Sequence, residues 1–215
     1  MVGLNSGHNL SMRKQAVTLI ELLIAIALLS VITIGFSSIN LFSQHHTISA
    51  SRRADLQNDV SFAIAHMGKY VQQGVGDLTN PPLEQRATDG FRVRVDLKPT
   101  PTPGILDDDL WFNYYLDADD TDCPSCLKFS CTQISATDSP ACPSGEILSK
   151  KILAGVEYIA MPVNLSSGFY INLTDNNTIV EVGLVARYNK GLSQSADNPQ
   201  VEMKNRLYTY SSSNR

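Results

Sequence analysis

The chain has 215 residues, 43% of them hydrophobic, enough for one domain with its own core and an anchor besides. A formal net charge of −4 leaves no basic footprint for nucleic acid. The apolar residues are not evenly spread: residues 17–42 read VTLIELLIAIALLSVITIGFSSINLF, with Glu21 the only charge, and the remainder is polar and turn-rich.

At about 1.5 Å rise per residue, this run crosses a bilayer core of about 30 Å as a helix. Arg13 and Lys14 directly before it predict a cytoplasmic N-terminus and an exported remainder. A plain signal anchor and a secretory signal peptide are the simpler readings. An ordinary signal-peptide apolar region is only about 7–15 residues long and ends in a small-x-small cleavage site. Here the run is longer, and no such site closes it. Glu21 discriminates further. A carboxylate inside an apolar span costs roughly 2–3 kcal/mol or more, so its presence needs a reason.

Residues 13–35, RKQAVTLIELLIAIALLSVITIG, resemble the N-terminal signature of type IV prepilins and pseudopilins. That signature is a basic leader, a small residue at the cleavage point, then a Phe-Thr-Leu-Ile-Glu-Leu-Leu run. Thr18, Leu19, Ile20, Glu21, Leu22 and Leu23 match it. Ala16 stands where the family usually has Gly, and Val17 where it usually has the N-methylated Phe. The resemblance implies that prepilin peptidase cuts between Ala16 and Val17 and methylates the new N-terminus. It implies a single-pass protein of the bacterial inner membrane with a periplasmic head, which then joins a pilus or pseudopilus at the cell surface. Its partners would be other pilins or pseudopilins, met through the N-terminal helix. Glu21 would act in assembly, beside the α-amino group of Val17 on an adjacent subunit. The leader is residues 1–16 from Met1, or the short MRKQA if translation starts at Met12.

Beyond the apolar run, Leu56, Val60, Ala63, Ile64, Met67 and Val71 recur at three- and four-residue steps, with charged residues between them. This predicts that the helix continues as an amphipathic rod with a stripe to bury. Gly74, Gly76 and Asn80-Pro81-Pro82 end it. Strands are expected at Phe91–Leu97, Leu110–Leu116, within Ile152–Val163, at Phe169–Leu173 and Thr178–Tyr188, and at Val201–Tyr210. Residues 174–177, TDNN, form a hairpin turn between the fourth and fifth of these.

Helix first and strands after indicate an α+β class, a long hydrophobic helix packed on an antiparallel sheet. The division is a leader peptide (1–16), a membrane and filament-core helix half (17–42), an amphipathic helix half packed on the head (43–76), and a β-rich periplasmic head (77–215) with a cysteine-containing loop at 117–145. The order of elements is similar to that of PilW-type minor pilins and J-type pseudopilins of type II secretion.

Cys123, Cys126, Cys131 and Cys142 are separated by two, four and ten residues. Four thiolates suit a tetrahedral zinc site, and Cys123-Pro-Ser-Cys126 has the CxxC form of a redox motif. Two disulfides in an exported segment are the reading adopted, with about three connectivities open. Asp117, Asp119 and Asp122 in the run DADDTD offer oxygen ligands for calcium. The run lacks the EF-hand glycine and closing glutamate, and a solvated acidic turn is the simpler reading. His45, His46 and His66 have no ligand partners at metal spacing and read as solvated or interfacial. No phosphate loop, nucleophile elbow or HExxH motif occurs. These features point to a minor pilin that takes part in assembling or priming a filament, and not to an enzyme or a cofactor-binding protein. A J-type pseudopilin is the alternative within the class. A signal-anchored periplasmic binding protein is the alternative outside it.

Overall fold

The computed structural model describes residues 18–86, 90–98, 100, 102, 105–117, 121, 123, 125–135, 139–153 and 168–210. They fall into two compact units, one up to His46 and one from Thr47 onward. The long helix α1 (Leu19–Gln72) contributes to both. The fold is α+β: one long N-terminal apolar helix and antiparallel sheets.

In the first unit, Thr18 precedes the helix and Glu21 lies in its first turn. In the second, the helix carries the expected stripe. Leu56, Val60, Ala63, Ile64, Met67 and Val71 are buried and belong to the common core. Burying each of the larger ones contributes about 1.5–3 kcal/mol. The helix ends in a tightened turn, where Gln73 and Gly74 N–H donate to the carbonyls of Tyr70 and Val71. Gly74 is needed there: a Cβ would lie 2.9 Å from Thr209 Cγ2 and 3.2 Å from Val93 Cγ2.

Eight strands follow, in two sheets. The first has the order β1 (Leu83–Arg86), β2 (Gly90–Val95), β3 (Leu110–Asp117), β4 (Cys126–Gln133), β5 (Glu146–Ser149). The second has the order β6 (Phe169–Thr174), β7 (Ile179–Arg187), β8 (Gln200–Tyr208). Every pairing is antiparallel. Side chains alternate across the pleat, so Phe91, Val93 and Val95 of β2 face the core together with Leu110, Phe112 and Tyr114 of β3. In the second sheet Val180, Val182, Leu184 and Ala186 of β7 play the same part. The β6–β7 turn spans residues 175–178, one residue later than the expected TDNN because Thr174 still pairs in β6, and Asp175, Asn176 and Asn177 are all left-handed there. Asn and Asp tolerate that region better than other non-glycine residues.

The structure adds strands β1 and β5, which the sequence reading did not expect, and differs from that reading in two further places. The strands divide into two sheets instead of one. Residues 117–145 are not a single loop, because β4 and its neighbour β3 form a hairpin through them, with Cys126 opposite Asp117 and Cys131 opposite Phe112. Within β4 the apolar Leu127 and Phe129 are interleaved with Lys128 and Ser130, and the cysteines obscured that alternation. The strand centred on VEYIAMPV falls mostly outside the described residues. Of its expected start, Ile152 makes one isolated bridge to Ala186.

Candidate membrane anchor and assembly site

The apolar run is built to have no aqueous surface. The large side chains from Leu19 to Phe42 are each 54 to 78% exposed, and they point in every direction around the helix. A helix apolar on all sides needs lipid or other helices around it. Among the described residues, α1 alone is long and apolar enough to cross a membrane.

The serine and threonine hydroxyls of the apolar run are satisfied within the helix. Ser30 Oγ donates to the Ile26 carbonyl at 2.8 Å, Ser37 Oγ to Thr33 at 2.8 Å, Ser38 Oγ to Ile34 at 2.9 Å, and Thr33 Oγ1 to Ser30 at 2.9 Å. A hydroxyl bonded to the preceding turn costs little in an apolar surrounding, whereas an unpaired one costs several kcal/mol.

Glu21 is satisfied in the same way. The Thr18 backbone N–H and its hydroxyl both lie 2.9 Å from Glu21 Oε2, and the Glu21 N–H points at Thr18 Oγ1 at 3.4 Å. This is a capping box, in which a residue before the helix and one in its first turn bond to each other's main chain. The sequence carries its signature as T-x-x-E, Thr18 to Glu21, and the sequence reading used only the glutamate. A negative charge at this end also faces the positive pole of the helix dipole. The capped carboxylate keeps Oε1 for a further donor.

Residues 11–37 match the family model described as the prokaryotic N-terminal methylation motif. The N-terminal segment is a type IV prepilin-like signature. No curated protein and no solved structure matches the chain. The methylation motif thus supports a type IV pilin-like or pseudopilin protein, a class of structural, membrane-anchored filament subunits processed by prepilin peptidase. Ala16 and Val17, the residues expected to flank the cut, lie outside the described residues.

Away from the methylation motif, the structure pairs Cys123 with Cys126 and Cys131 with Cys142, with Cα separations of 5.6 and 5.5 Å. Both separations are ordinary for disulfides. The first pair closes the β3–β4 turn. There the Ser125 N–H donates to the Asp117 carbonyl at 2.8 Å, and Ser125 takes a left-handed φ of 60°. The second ties β4 to the segment leading into β5, and both of its cysteines pack against the core. Asp117 ends β3 and its Oδ2 lies 3.1 Å from Lys128 Nζ. Asp119 and Asp122 lie outside the described residues. Among the described residues, no three His, Cys, Asp or Glu side chains gather as a metal site.

His66 corrects the sequence reading. It is not solvated: its side chain is 14% exposed and sits among Tyr70, Tyr114 and Phe129. The helical pattern placed it on the polar side of the stripe, and only the sheet register reveals the aromatic residues above it. A second group absent from that reading is Asp109, the residue before β3. Its carboxyl is buried, and Oδ2 has no hydrogen-bond partner. Burial, aided by the nearby Asp96 and Asp108 carboxylates, pushes its pKa up to about 7.

Proposed function

We propose that this chain is a minor pilin of the PilW type, a structural subunit that takes part in assembling or priming a type IV pilus-like filament. The observation that carries the reading is the methylation motif at residues 11–37, which runs into a helix segment with large apolar side chains on every side and one capped carboxylate. Prepilin peptidase cuts after Ala16, and Val17 becomes the methylated N-terminus. Residues 17–42 hold the subunit in the inner membrane, with the β-rich part in the periplasm. On assembly this segment leaves lipid and packs among the equivalent helices of other subunits.

Glu21 supplies the register for that step. A carboxylate and an ammonium group about 4 Å apart attract by about 4 kcal/mol at an effective dielectric near 20. Cleavage exposes the α-amino group of a neighbouring Val17, which remains a cation when N-methylated, and Oε1 of Glu21 is the atom left to receive it. The size of the part beyond Thr47 favours a minor over a bulk subunit. A J-type pseudopilin of type II secretion carries the same motif and is the alternative reading.

Intact-mass and N-terminal analysis of protein from its native host tests the class. Val17 as first residue with one added methyl is expected. A mature N-terminus within or after residues 17–42 would overturn it. Deletion of the gene then separates the two members of the class, by loss of surface filaments or by loss of protein secretion.

A further inference from the structure

The register of the first sheet lines up one row of residues across four strands: Phe91, Tyr114, Phe129 and Glu146. His66 of α1 lies against that row. Its ring centroid is 4.9 Å from that of Phe129 and 5.9 Å from that of Tyr114. Nε2 is 3.1 Å from Glu146 Oε1, and Nδ1 is 3.2 Å from the Tyr114 phenolic oxygen. One imidazole therefore joins the helix to the central strand β3 and to the edge strand β5 at once.

The partners fix where the proton sits. An ionised carboxylate only accepts, so Nε2 carries hydrogen toward Glu146. In the neutral ring Nδ1 is then an acceptor, and the Tyr114 hydroxyl donates to it. A second proton on Nδ1 would face that hydroxyl. Tyr114 would have to swing its hydrogen toward the His66 carbonyl, which lies at the longer distance of 3.5 Å. We propose that His66 is a proton-sensitive clasp between α1 and strand β3, closed through Tyr114 when the ring is neutral and loosened there by acid.

Every element around the ring enters this balance. On α1 itself, Lys69 is a cation one residue before Tyr70, and Tyr70 contacts the ring with centroids 5.1 Å apart. β3 contributes Tyr114, β4 the uncharged Phe129, and β5 the anion Glu146. Burial disfavours the imidazolium most, Glu146 opposes that, and Lys69 adds to it, leaving the pKa below the usual histidine value. For a base depressed by folding, the unfolded chain takes the proton first. The clasp thus contributes fully above the unfolded value near 6.5, weakens as the pH falls through it, and levels off below the folded value. This holds whichever filament the chain joins.

The test is a titration of the full chain in lipid nanodiscs, with isotope-labelled histidine. The chain has four histidines, so His66→Gln assigns the signal. A neutral Nε2–H tautomer and a midpoint below about 6.5 are expected. Glu146→Gln should lower the midpoint, and Tyr114→Phe should raise it. Amide protection of β3 around Tyr114 and of helix residues 63–70, corrected for intrinsic exchange, should fall several-fold between pH 7.5 and pH 5, while β7 keeps its protection. A midpoint at or above the ordinary value, an Nδ1–H tautomer, or protection around Tyr114 in β3 that does not change with pH would each overturn the clasp.

Discussion

Thr18 and Glu21 cap α1 reciprocally, so the one charge in the apolar segment is also its first helical fastening. The two contributions of Glu21 are separable by chemistry. Gln can replace Glu in a capping box, but it carries no charge for an incoming ammonium group.

Glu21→Gln should therefore keep the first turn of α1 and lose filament incorporation. Glu21→Ala should lose both. Thr18→Ala should fray the first turn at a cost of about 1 kcal/mol and reduce incorporation less than either. Complementation of a deletion strain, with membrane levels tracked by blotting, reads all three. Full complementation by Glu21→Gln at normal expression would show that the charge is not what assembly uses.

Processing gives a second expectation. Ala16→Gly should be cleaved at least as efficiently as the natural chain, since the small side chain at the cut is the shared requirement. Ala16→Leu should accumulate the uncut form in the membrane. The ratio of long to short species on a gel, checked by intact mass, measures it. Cleavage of Ala16→Leu at the natural rate would place the cut elsewhere.

The cysteines make a third. Thiol counting on denatured, unreduced protein should find none free. In the chain-entropy account, a bond closing the loop from Cys131 to Cys142 stabilises by about 3 kcal/mol, and the shorter one from Cys123 to Cys126 by about 2 kcal/mol. Cys131→Ser with Cys142→Ser should lower the melting temperature more than the other double substitution, because the bond it removes closes the longer loop. The reverse order, or four thiols with stoichiometric zinc, would contradict the pairing.

Asp109 sets a pH dependence of its own. Its folded pKa of about 7 lies above the ordinary 3.8. Below pH 4 it is protonated in both states and costs nothing. As pH rises, the unfolded chain ionises first, so stability falls progressively until the folded carboxyl ionises near pH 7. At 1.36 kcal/mol per pKa unit the loss is on the order of 2–4 kcal/mol. Asp109→Asn should thus melt higher than the natural chain at pH 8, with the difference shrinking toward pH 4. Equal melting at both pH values would mean that Asp109 ionises without penalty.

Some of this protein is written in short range. The methylation motif is a run of consecutive residues, the apolar span is a matter of composition, and the stripe from Leu56 to Val71 repeats with the helical period. Each depends on neighbours within a few turns, so each can be read along the chain. The Asp175-Asn176-Asn177 turn is equally local, because left-handed backbone selects Asn and Asp by their own sterics. Other features depend on pairing at a distance. The division into two sheets, the strand that carries Cys126 and Cys131, and the pairing of four cysteines follow from which strands meet, and β4 alternates too weakly to announce itself. The surroundings of His66 were decided in the same way: β3, β4 and β5 bring Tyr114, Phe129 and Glu146 into one row only after their register is set. Asp109 looks like one more acidic loop residue until the chain closes over it. Burial and electrostatic environment are properties of surfaces brought together by folding, and a linear pattern holds neither.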